Sequence, residues 1–358
     1  MYAKAPKTIL KTSSYEFMGF ESISVQKSML DLYGEFDLVM ADRTTESEGL
    51  PINLGEDARL YHHSHLIETG YIDMLGHSFG SDGTKLELYG KSRSCDVEDS
   101  SIELKSNEFK GEQNLDSIAG KLLKGFDSKL IIDRSLGALK LKNWKIDPGE
   151  KIGYNLLRAA RKLEIMIYCL PDGNLYATKA SRSIRECPVI EQGKNLIDAQ
   201  KYIDYSGLYT KYMVRAIEEK NGELKPSLGI EIFPHPRKSR VSIINYDGSA
   251  NNEECKTLAK WERITNQANS YGHTIRVAGW LNSIGRPWEL NTQVFLNCPK
   301  IRTQKHLLVT EINFEYSKKD GHTSTLELKH PDAFKALPFI ASKEKDDDYQ
   351  KRAKELGY

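Results

Sequence analysis

Three histidines stand close together at His62, His63 and His65, and imidazole nitrogens are common metal ligands. On a β-strand, the side chains of residues 63 and 65 point to one face, and that of residue 62 points to the other. A metal site would need a third ligand with suitable geometry, and the sequence offers no partner motif for one. We therefore expect a polar strand face near a sheet edge, and we predict no metal-binding residues.

Asp96, Glu98 and Asp99 place three carboxylates within four residues. Two carboxylates can perform acid–base chemistry when burial separates their pKa values. Here the three precede Ser100 and Ser101 at the exit of a predicted β region, where Asp and Ser side chains commonly bond to nearby backbone amides. The pattern therefore favours a solvated junction between domains over a catalytic pair.

Two tryptophans, Trp280 and Trp288, flank a turn that contains Gly285. Indole rings near a turn can bind sugars or bases, and they more often pack the end of a β-barrel. Gly90-Lys91-Ser92 resembles the end of a phosphate-binding loop, but no glycine lies five residues before Gly90, so the backbone cradle is missing. Without a nucleophile–base set at workable spacing, we predict no catalytic residues, no cofactor-binding residues, no cofactor and no enzymatic activity.

The composition is that of an ordinary folded protein, with 39% hydrophobic residues, 28% charged residues and a formal net charge of +1. That charge argues against a nucleic-acid-binding protein, which usually carries a strong basic excess. No apolar run approaches the roughly 20 residues of a membrane helix, so we expect no stable membrane binding. The start of the chain lacks the apolar core of a signal peptide. The five cysteines are widely spaced, which favours free thiols in a reducing compartment.

The same order of elements occurs near both ends of the chain, at about residues 54–88 and again at about 290–328. Each copy predicts two strands, an Asp-Gly turn and a third strand. Asp82-Gly83 and Asp320-Gly321 supply the two turns. A repeat of this length indicates two similar β domains in one polypeptide. A trimer of such a chain would present six similar units in a ring.

Alternating apolar positions predict a hairpin over residues 20–40, followed by three strands of the first copy. Those strands are expected at about 57–63, 66–75 and 84–92. The middle of the chain differs, because Asn114 can cap one helix and Asp147 with Pro148 can begin a second. The second helix carries an apolar stripe from Ile152 to Leu163, and strands at 165–170 and 175–178 follow it. This middle region predicts a small α/β insert.

The β pattern returns after Ser206, with strands predicted at 212–217 and 240–244. Between them, the segment from Glu218 to Lys238 is rich in charge, glycine and proline, which predicts a long exposed loop. A helix over 252–268, capped by Asn251 or Asn252, is expected to pack on the second β unit through Trp261. The strands predicted to complete that unit lie at about 273–281, 290–297, 306–317 and 322–329.

Together these elements predict a mainly β protein with an α/β insert and two similar β barrels. At 358 residues, two or three domains are expected. Residues 1–101 are predicted to form the first barrel, with strands from about 203–245 as candidates to complete it, and residues 102–202 form the insert. Residues 203–340 form the second barrel, which includes the helix 252–268. Residues 341–358 are a charged C-terminal tail, either a frayed helix or disordered.

Short motifs that match one known family follow one another in order along nearly the whole sequence. They are Ser22–Val25 with Gly34–Phe36, Gly55–Asp57, Thr69–Asp73, Gly90–Arg93 with Asp96–Ser101, Pro148–Glu150, Trp261-Glu262, Gly279-Trp280, Trp288–Asn291 and Pro331–Phe334. On these motifs, the chain resembles the baseplate hub proteins of contractile-tailed phages, specifically the Mu-like hub family. It departs from the family pattern at Leu50-Pro51-Ile52, where a tryptophan usually precedes the Gly-Glu-Asp turn.

This resemblance implies that the two barrels are tail-tube-like and that the protein has a structural role in the virion. Three copies would form a pseudo-six-fold ring that adapts a three-fold spike to a six-fold tube. The implied partners are the chain itself as a homotrimer, the central spike protein, the tail tube protein, and the baseplate wedge and tape measure proteins. DNA would contact it only in transit through the lumen. The implied location is the tail baseplate, and the host cytoplasm during assembly.

A second hypothesis from a different class stays open, namely a hydrolase or glycan-binding module of a phage tail or contractile secretion particle. Its site would be the insert and the region around Trp280 and Trp288. On the hub hypothesis, residues from about 20 to 95 and from about 273 to 330 should form superimposable barrels, each with its own sheet. Exposed edge strands would join the copies, with segments 22–30 and 290–297 as candidates.

Overall fold

The protein has a mainly β fold with four α-helices in the part of the chain that the structure describes. This structure, a computed structural model, describes residues 8–42, 52–81, 83–103, 108–146, 149–163, 165–220, 223–234, 237–246 and 250–334. Mainly β structure with an α/β insert is therefore confirmed. The predicted tail at 341–358, and the predicted roles of Asp82, Asp147 and Pro148, lie outside the described residues. None of the helices in these ranges has the length and apolar character needed to cross a membrane.

The elements follow one another along the chain as follows. The strands are β1 (Thr8–Lys11), β2 (Glu16–Phe17), β3 (Phe20–Ser28), β4 (Glu35–Ala41), β5 (Asp57–His62), β6 (His65–Gly80), β7 (Gly83–Ser92), β8 (Glu108–Asn114), β9 (Leu130–Ile132), β10 (Lys140–Lys145), β11 (Met166–Cys169), β12 (Leu175–Thr178), β13 (Val189–Glu191), β14 (Leu196–Ile203), β15 (Lys211–Lys220), β16 (Glu223–Ile232), β17 (Val241–Asn245), β18 (Tyr271–Ala278), β19 (Gln293–Cys298), β20 (Thr303–Ser317) and β21 (Gly321–Lys329). The helices are α1 (Cys95–Asp99), α2 (Leu115–Leu122), α3 (Ile152–Leu163) and α4 (Asn252–Asn269).

One large sheet contains strands from both ends of the chain. Its main path runs β14–β18–β21–β20–β3–β4–β7–β6 and continues through β5, β1 and β2. Off this path, β19 pairs with β20, and β13 pairs with β19. Along each strand of the path, alternate side chains enter one continuous apolar core. Val25, Leu38, Leu88, Ile312 and Leu326 are fully buried members of that core.

The two predicted β units are joined within this sheet. Strand β3 pairs with β20 in antiparallel register from Ser28 opposite Glu311 to Ser22 opposite Ser317. The expectation that residues 20–95 and 273–330 form separate sheets is therefore wrong. Side-chain alternation determines which face of a strand is buried, but it does not determine which distant strand lies beside it.

The repeat found in the sequence is present in the topology. The strand order β3–β4–β7–β6–β5 in the N-terminal part matches the order β14–β18–β21–β20–β19 in the C-terminal part. Each repeat contains one unusually long strand, β6 with 16 residues and β20 with 15 residues. The turn glycines Gly83 and Gly321 both have positive φ, at 99° and 69°, which a residue with a Cβ adopts only with strain.

The insert, which contains β8–β12 with α2 and α3, has its own apolar core. Strands β8 and β10 form a two-stranded sheet, β9, β11 and β12 form a three-stranded sheet, and α2 and α3 pack on them. Ile152, Leu156 and Ala160 on the predicted stripe of α3 are buried. Strands β13 and β14, which the sequence assigns to the insert at residues 102–202, pair within the large sheet. The five cysteines are free thiols, and only Cys187 is not fully buried.

A second small unit is formed by β15, β16, β17 and α4. These three strands pair only with one another among the described residues, in the order β16–β15–β17, so they do not complete the first barrel. The loop predicted from Glu218 to Lys238 is wrong, since it contains strand β16. Pro226 is tolerated there because β16 is an edge strand. Gly229 is required because an added Cβ would lie 2.0 Å from the backbone of α4 at Cys255 and Lys256.

Helix α4 begins at the predicted cap. The Asn251 side chain accepts a bond from the Glu254 amide at 3.0 Å, and the Glu254 carboxylate accepts one from the Asn251 amide at 2.7 Å. Buried residues of α4 pack with Tyr212 on β15 in a small core. The helix therefore lies mainly on β15 and β16 rather than on the second β unit, and Trp261 is half-buried.

Candidate assembly interface

Both ends of the eight-strand path from β14 to β6 have an open strand edge in the described chain. Strand β14 pairs with β18 on one side, and its other edge is open beyond a single bridge between Leu196 and Gln192. Strand β6 pairs with β5 only as far as Tyr71, while it pairs with β7 as far as Gly80. Residues 73–80 therefore have one open edge. Unpaired strand edges are templates for pairing with another chain.

Apolar side chains are exposed at both of these edges. On β14, Ile197 is 53% exposed, and Ile203 at its end is also exposed. On the open half of β6, Met74 is exposed and Phe79 is 87% exposed. Exposed aliphatic and aromatic groups beside unpaired backbone are typical of surfaces that become buried on assembly.

The internal repeat indicates how these edges are used. In the second repeat, the first half of β20 pairs with β19, and its second half, from Glu311 to Ser317, pairs with β3. Strand β6 is the equivalent of β20, and its first half pairs with β5 in the same way. Strand β14 is the equivalent of β3. The open half of β6 and the open edge of β14 are thus the counterparts of a junction that forms inside the chain.

The edge strands proposed from the sequence are not edges. Segment 22–30 lies largely in β3, between β20 and β4. Segment 290–297 lies largely in β19, between β13 and β20. Both predictions are wrong, because strand order depends on pairing between distant parts of the chain.

The face of the path that points away from the core is polar. Hydrogen bonds between neighbouring strands run along it, such as Ser24 to Asn313 at 3.1 Å and Thr325 to Glu315 at 3.0 Å. Register places seven acidic and four basic side chains on this face. The acidic residues are Glu35, Asp37, Glu87, Asp198, Glu311, Glu315 and Glu327, and the basic residues are Lys85, Lys91, Arg276 and Lys329. Burial, together with the nearby carboxylate of Glu35, raises the pKa of Asp37.

The histidine cluster is a structural feature of the sheet. His63 lies in the turn between β5 and β6 with φ of 55°, so the predicted alternation of a continuous strand fails there. His62 is buried, His63 is exposed and His65 is half-buried. Among the described residues, no three His, Cys, Asp or Glu side chains form a group that could hold a metal ion.

His62 connects the two repeats. Its ring centroid lies 4.7 Å from that of Trp280 and 4.7 Å from that of His322. The Thr8 hydroxyl lies 3.0 Å from Nδ1 of His62 and 3.1 Å from Nε2 of His322. Burial lowers the pKa of His62 to about 3, and burial lowers the pKa of His322 to about 4. Both rings are therefore neutral at pH 7 and act as packed aromatic groups.

Neither predicted tryptophan is available to stack on a sugar or a base. Trp280 is 0% exposed, and its Nε1 donates to the backbone oxygen of Glu315 at 2.8 Å. Trp288 is 3% exposed and forms part of the wall of a cleft that Arg185 and Arg286 also line. A carbohydrate platform needs an exposed ring face, so the two indoles pack the fold instead.

The three clustered carboxylates lie on α1, between the large sheet and the insert. Asp96 and Asp99 are exposed, as a solvated junction requires. Glu98 is half-buried against α3, where an added Cβ on Gly153 would lie 2.2 Å from its Oε2 atom. Burial raises the pKa of Glu98. The close approach of α1 and α3 makes this group a packing contact between the sheet and the insert.

The Gly90-Lys91-Ser92 sequence also serves packing. An added Cβ on Gly90 would lie 2.2 Å from the ring of Phe36, so only glycine fits beneath that ring. The Ser92 hydroxyl donates to Oε1 of Glu68 at 3.0 Å, and Oε2 of Glu68 forms a buried ion pair with Lys27 at 2.9 Å. These contacts tie β3, β6 and β7 together.

The sequence also contains a Gly-x-Ser-x-Gly pattern at Gly76–Gly80. In α/β-hydrolases this pattern forms a sharp turn between a strand and a helix. Here it lies in the open half of β6, where the Ser78 hydroxyl donates to Glu87 at 3.2 Å. His77 lies 3.4 Å from Asp42, and adjacent strand residues point to opposite faces. His77 therefore cannot act as a base for Ser78.

Comparison with known proteins places this topology among phage tail components. The protein-family model described as the fourth domain of the Mu phage baseplate assembly protein GpP matches the sequence of residues 251–337, which contain α4 and β18–β21. The baseplate hub protein gp44 of Escherichia phage Mu is 22% identical over 339 residues, covering 91% of this chain and 88% of gp44. The resemblance to Mu-like baseplate hub proteins is confirmed.

Solved structures agree with this Mu-like resemblance at the level of the fold. The 43 kDa tail protein of prophage MuSo2 from Shewanella oneidensis has a TM-score of 0.80 at 22% identity, with 92% of this chain and 99% of that chain covered. The tail protein from Neisseria meningitidis MC58 has a TM-score of 0.78 at 18% identity, with the same coverage. The fold of the Mu-like tail proteins thus extends over nearly the whole chain.

Proposed function

We propose that this chain is a structural subunit of the baseplate hub in the tail of a Mu-like phage. The observation that carries the proposal is the pair of open edges, because they are equivalent to the β3–β20 junction that already joins the two repeats. The chain contains one such junction, and each end of the strand path carries one of the two edges that would form another. Such a chain is suited to self-assembly. Similarity to a baseplate hub protein over nearly the whole chain supports the same role.

The edges favour a closed ring of three copies. Strand β14 of one copy would pair with the open half of β6 of the next, in the way that β3 pairs with β20. Every pairing along the path is antiparallel, and the path contains eight strands. An even number of antiparallel strands lets the next copy continue the alternation without a break. Two repeats in each of three copies give six similar units, which is a pseudo-six-fold ring.

The same topology supports a division of the chain into four parts. In this proposal, the first repeat extends to about residue 101, and the insert extends from about 102 to 180. The second repeat contains 189–203 and 271–329, and it is interrupted by a small unit at 211–269. This division differs from the sequence-based one in two ways. It moves β13 and β14 out of the insert, and it separates the small unit at 211–269 from the second barrel.

The polar face of the path would line the lumen of the ring, since the opposite face forms the core. An excess of carboxylates on that face would repel the phosphates of DNA, whose binding to proteins depends strongly on cationic side chains. Serine, threonine and asparagine side chains add hydrated surface to this face. The proposed lumen therefore suits DNA in transit and does not suit stable binding.

In the assembled tail, the six similar units would match the six-fold tail tube on one side. The three-fold symmetry of the whole ring would match the central spike on the other side, so the hub would adapt one symmetry to the other. Baseplate wedge and tape measure proteins are further proposed partners. Assembly in the host cytoplasm would precede incorporation into the virion. The glycan-binding alternative lacks the aromatic platform that it predicted, because Trp280 and Trp288 are buried.

Analytical ultracentrifugation combined with electron microscopy tests the ring. We expect the native chain at tens of micromolar to sediment as a trimer and to appear as a ring, because even an affinity of ~1 μM would be saturated. Phe79→Asp or Ile197→Asp should release folded monomers. Ile131→Asp is the matched control, because Ile131 is an exposed aliphatic residue of the insert, and it should leave the trimer intact. A native chain that stays monomeric, or edge variants that sediment like the control, would contradict the proposal.

A further inference from the structure

One face of the small β15–β17 sheet is apolar and uncovered by the rest of the described chain. Helix α4 covers the other face, where Tyr212 and Val214 are buried. On the uncovered face, the aliphatic side chains are 43–68% exposed. They are Ile217, Leu224, Leu228, Ile232, Val241 and Ile243. Six aliphatic groups at about half exposure present on the order of 500 Å², the size at which a patch on a monomer is usually functional.

Strand register arranges this face, hereafter the outer face, into rows. Lys211 on the central strand lies between Ile232 and Val241, and Met213 lies in the next row between Ile230 and Ile243. In the row after that, Arg215 on the central strand lies beside Leu228. The face therefore has apolar flanks on both outer strands and two cations on the central strand.

The charges of the outer face are unmatched. Neither Lys211 nor Arg215 has a carboxylate within ion-pair distance among the described residues. The two cations are four residues apart on one strand, which separates them by roughly 13 Å. On the covered face, by contrast, Arg263 of α4 pairs with Glu231 of β16 at 3.2 Å. A helix that covered the outer face in the same manner would need carboxylates in place of Arg263.

We propose that the outer face of β15–β17 is a docking site for an amphipathic helix of a partner protein, with an apolar stripe and acidic residues about two turns apart beside it. The apolar stripe would pack on the aliphatic flanks, and the carboxylates would reach Lys211 and Arg215. Docking would turn the two-layer unit into a three-layer one with a helix on each face. The proposal does not depend on the ring, since none of these residues lies on β6 or β14.

The test uses the full chain and a synthetic fluorescent helix of about 18 residues, with a leucine stripe and two glutamates two turns apart. A matched peptide carries lysines in place of the glutamates. Fluorescence anisotropy should give at least about tenfold tighter binding of the acidic peptide, since like charges across an interface are strongly disfavoured. Arg215→Glu should reverse the preference, and Ile243→Asp should weaken both peptides by about tenfold or more.

Lys300→Glu provides the matched control for charge, because Lys300 is exposed on a distant turn. It should leave the preference for the acidic peptide unchanged. Circular dichroism checks that Arg215→Glu is folded, so the reversal can be measured even if Ile243→Asp does not fold. Equal binding of both peptides, or binding of neither, would overturn the proposal.

Three other occupants of the outer face give distinct results. A change of sedimentation coefficient in Ile243→Asp would assign the face to a second copy of the chain. Competition by a peptide of residues 335–358 would assign it to the C-terminal end of the chain. Co-sedimentation with vesicles of phosphatidylcholine and phosphatidylglycerol, without any preference for the acidic peptide, would assign it to a lipid surface. Each of these results would overturn the partner-helix proposal.

Discussion

At the scale of single residues, the buried tryptophan between the two repeats should matter more for stability than any proposed site residue. Trp280→Ala should lower the free energy of unfolding by about 3–5 kcal/mol, because it removes a fully buried indole that packs on His62 and Phe314. Trp261→Ala should cost clearly less, since Trp261 is half-buried on α4. Urea denaturation of both variants measures the difference. Equal losses would mean that Trp280 is not a core residue.

The buried histidines predict that acid weakens the fold. Burial lowers the pKa of His62 to about 3 and that of His273 to about 4, both below the usual 6.5. Between pH 6.5 and about 4 the unfolded chain binds protons that the folded chain does not, so stability falls as pH is lowered. The expected slope is up to about 1.4 kcal/mol per pH unit for each histidine.

Denaturation at several pH values compares the native chain with His62→Gln. Carboxylates with raised pKa, such as Glu327, contribute in the opposite direction in both proteins. The difference between the two slopes therefore isolates His62, and the variant should lose stability less steeply below pH 6.5. Identical slopes would show that His62 is protonated without cost in the folded state.

At the scale of elements, the seating of α4 on its sheet depends on one glycine. Gly229→Ala would place a Cβ 2.0 Å from the backbone of α4, and neither backbone can yield without moving the helix. We expect a loss of at least about 2 kcal/mol, comparable to other overpacked core sites. Gly207→Ala is the control, because open space surrounds Gly207 and its φ is not positive. Thermal unfolding that changes equally in both variants would argue against the close approach.

The same glycine shows where prediction from sequence reaches its limit. Strands such as β4 and β20, with clear alternation of apolar residues, were predictable because burial of one face has a period of two residues. Strand β16 was not, since Pro226 and Gly229 normally indicate a loop. Pro226 is acceptable on an edge strand, and Gly229 is acceptable because a helix lies against it. Both reasons come from tertiary contacts that local sequence does not contain.

The candidate interface was predictable only in outline. The repeat and its Asp-Gly turns were visible in the sequence, and they led to the expectation of edges that join copies. The identity of the edges was not visible, because β3 becomes an internal strand only through its pairing with β20, far along the chain. For the same reason, the sequence alone assigns β14, the equivalent of β3 in the second repeat, to the insert.

At the scale of the whole molecule, the acidic face of the path should decide how the ring interacts with DNA. The triple variant Asp37→Lys, Glu87→Lys and Asp198→Lys reverses three exposed charges on β4, β7 and β14. We expect the native chain to show no measurable binding to a short DNA duplex at low salt. The variant should bind it, with an affinity that falls steeply as salt is added, because each phosphate contact releases counterions.

A second triple variant provides the control for net charge. Glu103→Lys, Asp116→Lys and Glu289→Lys change the net charge equally at exposed positions outside that face. In a closed ring these lysines would not share one surface, so DNA binding should be at least about tenfold weaker than for the first variant, in which the cations act together. Anisotropy of a labelled duplex measures both. Equal affinities would mean that the acidic strands do not line a common channel, whereas a large difference would connect the charge of single strands to the passage of DNA through the assembled ring.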